Sequence, residues 1–161
     1  MNDKYAGSEI LQMAVEIEKK GKEFYQSVAQ SQKDEKAQKV FNFLIDEEIR
    51  HEKVFRDMLS QVERDTEKSV YDDTELVLYF SSLVERKIFP DVKEGISMQK
   101  LISDPAVALR IALSMEKDSI LFYSELLNVT HDKDHPIINQ IIEEERDHIS
   151  RILNLKKDFQ V

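Results

Sequence analysis

Four segments of this 161-residue chain place buried-type residues at alternating steps of three and four. That period leaves little but a helical bundle open to it. The first seam reads Ala14, Glu18, Gly21, Tyr25 and Val28, and the second Phe41, Leu44, Glu48, His51, Phe55, Met58 and Val62. The third reads Leu109, Ala112, Glu116, Ser119, Tyr123 and Leu126, and the fourth Ile138, Ile141, Glu145, His148, Ile152 and Leu155. No region sustains the alternation of a half-buried strand. Only three Gly and three Pro accompany 34 % charged and 41 % apolar residues, a mixture that favours long helices. The length suits one domain, residues 1–161, with a sizeable core.

Turn chemistry divides the seams. Ser31-Gln32-Lys33-Asp34 separates the first two, and His131-Asp132-Lys133-Asp134-His135-Pro136 the last two. Asp104-Pro105 reads as an N-cap followed by Pro at the first helical position. The expected architecture is all-α: two helical hairpins, about 8–64 and 104–158, joined by a crossover over about 66–103. The crossover is expected to hold a short extra helix, from near Asp73 to before Pro90. A connection of that length can run along the bundle and leave the second and third helices parallel.

The halves read as a diverged repeat. Glu18-Lys-Lys-Gly-Lys-Glu-Phe-Tyr25 corresponds to Glu116-Lys-Asp-Ser-Ile-Leu-Phe-Tyr123, an offset of 98 residues. Glu48-Ile49-Arg50-His51 corresponds to Glu145-Arg146-Asp147-His148, an offset of 97. A Glu three residues before a His puts both side chains on one helix face. Residues equidistant from a hairpin turn lie side by side, and Glu18 and Glu48 are centred on residue 33, within the first turn. Glu116 and Glu145 are centred between Thr130 and His131, at the second turn. At about 1.5 Å per residue each pair stands roughly 20 Å from its turn, so four Glu and two His are expected in one core layer.

Such a layer needs compensating charge, because a buried carboxylate costs several kcal/mol even after relaxation and four repel one another. Two divalent cations balance four carboxylates. Carboxylate and imidazole donors suit iron or manganese, with zinc also open. Glu18, Glu48, His51, Glu116, Glu145 and His148 are therefore the expected ligands of a dinuclear site. Tyr25 and Tyr123, two turns beyond the lone glutamates, either pack in the core or hydrogen-bond a ligand carboxylate. Glu47 and Glu144 either orient a histidine ring or lie at the surface, the surface being the expected place. His131 and His135 are expected to be solvated. Gly21 and Ser119 either let helices pack closely or leave room beside the metals.

Net charge is −9, with the charges interspersed, which argues against nucleic acid as a partner. Cysteine is absent, which excludes disulfides, thiolate catalysis and iron–sulfur ligation. No apolar run approaches the ~18 residues of a membrane span, and the first residues lack a signal peptide's apolar segment. No membrane association and a cytoplasmic location are expected.

Glu18…Tyr25, Glu48-x-x-His51, Glu116…Tyr123 and Glu145-x-x-His148, over roughly residues 10–62 and 106–157, resemble the rubrerythrin-like branch of the ferritin-like di-iron carboxylate proteins. The resemblance implies a ferritin-like four-helix bundle and two iron ions. It implies Glu48 and Glu145 as bridges, with Glu18 and His51, and Glu116 and His148, as terminal ligands. The implied activity is an oxidoreductase reacting ferrous iron with peroxide or dioxygen. Two alternatives stand beside it: iron handling, as a ferroxidase or metal-binding protein without an organic substrate, and a structural bundle with a vestigial or zinc-filled site. The chain departs from the pattern twice. It has no Cys for a rubredoxin domain, so a separate electron donor is expected, and Ser119 stands where rubrerythrins carry an additional Glu, which weakens rubrerythrin-type peroxidase activity. A homodimer is the expected assembly.

Overall fold

The computed structural model describes residues 5–30, 32–65 and 104–160. Among these are four α-helices: α1 (Gly7–Ala29), α2 (Glu35–Asp65), α3 (Pro105–Leu126) and α4 (His135–Phe159). Two short 3₁₀ turns, Leu127–Val129 and Asp132–Asp134, join α3 to α4. The described residues hold no strand, only one isolated bridge between Tyr5 and Thr130. The expected crossover of 66–103 and its helix lie outside the described residues.

Helix ends form where the sequence supplies a partner for an otherwise orphaned N–H. The Asp34 carboxylate accepts from the Ala37 N–H at 2.8 Å and opens α2. The Asp104 carboxylate accepts from the Ala106 N–H at 2.9 Å, with Pro105 behind it, and opens α3. At α1 the cap is inverted: Ala6 has no side-chain acceptor, and Glu9 reaches back to accept from the Ala6 N–H at 2.7 Å. Gln160 closes α4 in a left-handed conformation (φ 53°), its N–H returning to the carbonyls of Lys156 and Lys157.

The two hairpins meet with a defined polarity. A Cβ built on Gly7 would lie 3.3 Å from Asp134 and would overlap the Ile137 side chain, so α1 and α4 start at the same end. Tyr5 fixes that end: its N–H donates to the Val129 carbonyl at 2.8 Å, and its carbonyl accepts from the His131 N–H at 3.1 Å. With α1 and α4 parallel, α2 and α3 both run the opposite way and are parallel to each other. A long connection between them follows, as its length implied.

The apolar seams close into one core. Ile10, Leu11, Ala14, Phe55, Tyr123, Leu126, Ile138 and Ile141 are buried, as are Phe24, Val28, Val40, Phe41, Leu44, Leu109, Ala112 and Ile152. Lys22 on α1 and Glu52 on α2 add a half-buried ion pair at 2.9 Å. Core burial carries most of the stability, and each cap adds about one kcal/mol. Ile138→Ala is expected to cost about 2–5 kcal/mol and Asp104→Ala about 1 kcal/mol, measured by urea unfolding. Equal losses would contradict this division.

Candidate metal centre

Each seam is broken by polar side chains at one level. Glu18, Glu48, Glu116 and Glu145 are each no more than 2 % exposed, and His51 and His148 are fully enclosed. The polarity of the bundle brings them together: Glu18 lies eleven residues beyond Gly7 and Glu145 eleven beyond Asp134, and Gly7 and Asp134 are neighbours. The Glu-x-x-His spacing then sets each imidazole one turn beyond its carboxylate on the same face.

Within the first hairpin, His51 Nδ1 lies 3.3 Å from Glu18 Oε2. Within the second, His148 Nδ1 lies 3.1 Å from Glu116 Oε2, the same pairing under the internal twofold. Across the hairpins, His51 Nδ1 is 3.8 Å from Glu145 Oε1, and the two imidazoles stand edge to face with centroids 4.7 Å apart. Two sets of donor atoms, His51–Glu145–His148 and Glu48–Glu116–His148, each lie within 4.8 Å of one another. Among the described residues six buried atoms of this set have no hydrogen-bond partner: His148 Nε2 and five others, Glu48 Oε1, Glu116 Oε1, Glu145 Oε1 and both Nδ1 atoms. Buried polar groups are seldom left so. Cations held by these two groups would give such atoms a partner, and oxygen with imidazole nitrogen is a donor set that iron, manganese and zinc accept.

The electrostatics agree. Burial first, then the charges of Glu145 and Glu48, holds the Glu18 carboxyl well above the carboxylate range. Burial and Glu116 do the same for Glu48 and for Glu145. Burial pushes Glu116 up to about 7. Burial, then the neighbouring His148 and Arg50, takes His51 down to about 2, and burial lowers His148 as well. Without a counterion the site favours neutral carboxyls and neutral imidazoles, and neutral imidazole is the metal-binding form.

The tyrosines flank this layer. A helical side chain leans toward its own N-terminus, so Tyr25 and Tyr123, two turns beyond their glutamates, point back at the carboxylates. Both are fully enclosed. Burial and then Glu116 and Glu48 raise the Tyr25 hydroxyl, and burial and then Glu145 and Glu18 raise that of Tyr123, a twofold-related set. Tyr25 donates to Met115 Sδ at 4.0 Å, and the Tyr123 hydroxyl is buried without a hydrogen-bond partner. Ser119 is 2 % exposed and Gly21 is buried, one turn beyond their glutamates.

The surface expected for Glu47 is overturned, because this side chain is buried. Its Oε2 accepts from Arg50 at 3.4 Å and its Oε1 from Arg151 of α4 at 3.3 Å. Arg50 also donates to Glu144 at 3.2 Å, and Arg151 to Asp147 at 2.9 Å. This α2–α4 network sits behind the histidines. Arg50 and Arg151 were not among the expected site residues, and the only signal was arginine one residue before His51 and three after His148. His131 and His135 are half-buried at the α3–α4 turn, away from the layer.

The family model for rubrerythrin matches residues 9–156, and the chain belongs to the rubrerythrin family. No curated protein and no solved structure matches it. The bundle is accordingly a ferritin-like one.

These shifts set the pH response of the metal-free chain. A carboxyl raised from 4.5 contributes stability that is complete below 4.5 and lost as pH climbs through its folded value, about 7 for Glu116. A histidine lowered from 6.5 acts in reverse, losing stability as pH falls below 6.5 toward about 2 for His51. Tm of the metal-free chain is expected to peak between these limits and to fall toward about pH 8. Glu145→Gln, which removes one titrating carboxyl, should flatten the fall. A Tm that climbs steadily from mild acid to pH 8 would contradict the geometry.

Proposed function

We propose that this member of the rubrerythrin family is a di-iron carboxylate oxidoreductase, held as a single ferritin-like domain over 1–161, that reacts ferrous iron with peroxide or dioxygen. The observation that carries the reading is the six unpartnered donor atoms in one buried layer. On this proposal Glu48 and Glu145 would be shared between the two metals, and Glu18 with His51 and Glu116 with His148, paired at 3.3 and 3.1 Å, would each serve one. Two ferrous ions held there would supply one electron each, the two that reduction of peroxide to water takes.

The chain's own part is to hold that couple in a dry, charge-matched setting. Four ionised carboxylates balance two dications, and the enclosed histidines stay neutral as donors. The apolar seams on either side exclude bulk water. The small side chains at Gly21 and Ser119 leave the carboxylates room to shift. The enclosed Tyr123 hydroxyl, lacking a partner among the described residues, is a hydrogen-bond donor available to a ligand carboxylate.

Ser119 favours a second reading. It leaves the seam with four carboxylates and no fifth, a set that also fits iron oxidation followed by transfer, without turnover of another substrate. Among the described residues no helix is long and apolar enough to cross a membrane; a cytoplasmic location is part of the proposal. A homodimer belongs to the same proposal. A separate electron donor completes the proposal.

Anaerobic loading is expected to give about two iron ions per chain, as the dinuclear ligand set requires. Peroxide and oxygen, added separately, should each be tested for an iron–oxo absorption band and repeated turnover with a reductant. Glu18→Ala and Glu145→Ala should lose iron and at least about 100-fold in turnover, the order found when metal-site partners are removed. Full turnover in both variants would dispose of the reading, and one oxidation without further cycles would select iron handling.

A further inference from the structure

The twofold that relates the ligands does not extend to what lies behind them. Arg50 precedes His51, and Asp147 precedes His148 at the equivalent position. Arg50 Nη2 lies 2.8 Å from His51 Nε2. Among the described residues His148 has no such neighbour, and both of its ring nitrogens are buried without a hydrogen-bond partner.

A guanidinium can only donate. Its contact with His51 Nε2 requires a lone pair there, so the neutral ring carries its proton on Nδ1. That is the nitrogen facing Glu18 at 3.3 Å and Glu145 at 3.8 Å, the one a metal would need unprotonated. We infer that Arg50 is a latch on the His51 half of the centre: a cation can be taken there only after Arg50 leaves Nε2 and the ring changes tautomer. The inference rests on the di-metal reading of the site.

The surroundings supply both positions of the latch. Released from the ring, Arg50 keeps Glu144 at 3.2 Å, Glu47 at 3.4 Å and Asp147 at 3.9 Å. Glu47 is itself anchored from α4 by Arg151 at 3.3 Å, so the alternative seat of Arg50 is fixed rather than loose. His148 needs no such exchange, and its half of the centre fills first. The His51 half binds about tenfold or more weakly, the scale of one charge-assisted hydrogen bond.

Two measurements test this. In the metal-free chain, long-range ¹⁵N–¹H correlation on labelled histidine should show His51 as the Nδ1–H tautomer, changing to Nε2–H in Arg50→Gln. An Nε2–H His51 in the unaltered chain would overturn the latch without involving any metal. Cobalt(II) titration should then show two steps, the tighter lost in His148→Ala and the weaker in His51→Ala. Arg50→Gln should bring the steps within about threefold of each other. A step ratio unchanged by Arg50→Gln, or a single unresolved step in the unaltered chain, overturns the latch and leaves the di-metal reading standing. No cobalt binding at all overturns both.

Discussion

Four carboxyl groups enclosed at one level of a helical bundle are the condition to which the rest of this structure answers. Each is no more than 2 % exposed, and burial together with mutual repulsion holds three of them far above the ordinary carboxylate range. Such a layer is a weakness in a folded chain unless something returns the lost solvation. The apolar seams on both sides supply the stability that lets the chain carry it. Ile10, Leu11, Ile138 and Ile141 sit on one side, and Phe24, Phe41, Leu44 and Ile152 on the other. The site is thus pre-organised at a cost, and a bound cation returns part of that cost as folding stability.

The arrangement is twofold in its donors and one-sided in its support. Each hairpin contributes the same pair, Glu18 with His51 at 3.3 Å and Glu116 with His148 at 3.1 Å. Only α2 places an arginine against its histidine. Glu47, bound by Arg50 and Arg151, ties that arginine to α4. A buried carboxylate between two guanidinia is one of the few ways such a group is tolerated without a metal. Its position fixes the relative height of the two Glu-x-x-His helices.

Much of this was legible in the chain itself. Seam spacing gave the four helices, and the position of each turn gave the common height of Glu18, Glu48, Glu116 and Glu145, because hairpin geometry converts sequence distance into height. The parallel course of α2 and α3 followed from the length of the connection. Glu47 was not legible. It lies one position off the seam, and its burial comes from Arg50 and Arg151 reaching over it, one from its own helix and one from α4. Long flexible side chains pair by tertiary proximity, which no period in the sequence encodes. The tyrosines fall between these cases: their height follows from spacing, while their hydroxyl partners depend on rotamers.

Family membership settles the bundle and leaves the chemistry to a few neighbours of the ligands. Gly21 and Ser119 occupy equivalent places one turn beyond the lone glutamates, and neither adds a carboxylate. A donor layer of four negative charges is therefore matched by two dications and is overbalanced by a higher oxidation state. The excess would be met from nearby, by incoming oxygen ligands or by retreat of Arg50 toward Glu144 and Asp147. Of these only the arginine acts on one half of the centre alone. On the proposed latch, symmetric ligands with one arginine beside a single histidine would give two metal positions of unequal affinity. The difference between them follows from Arg50 rather than from the ligands.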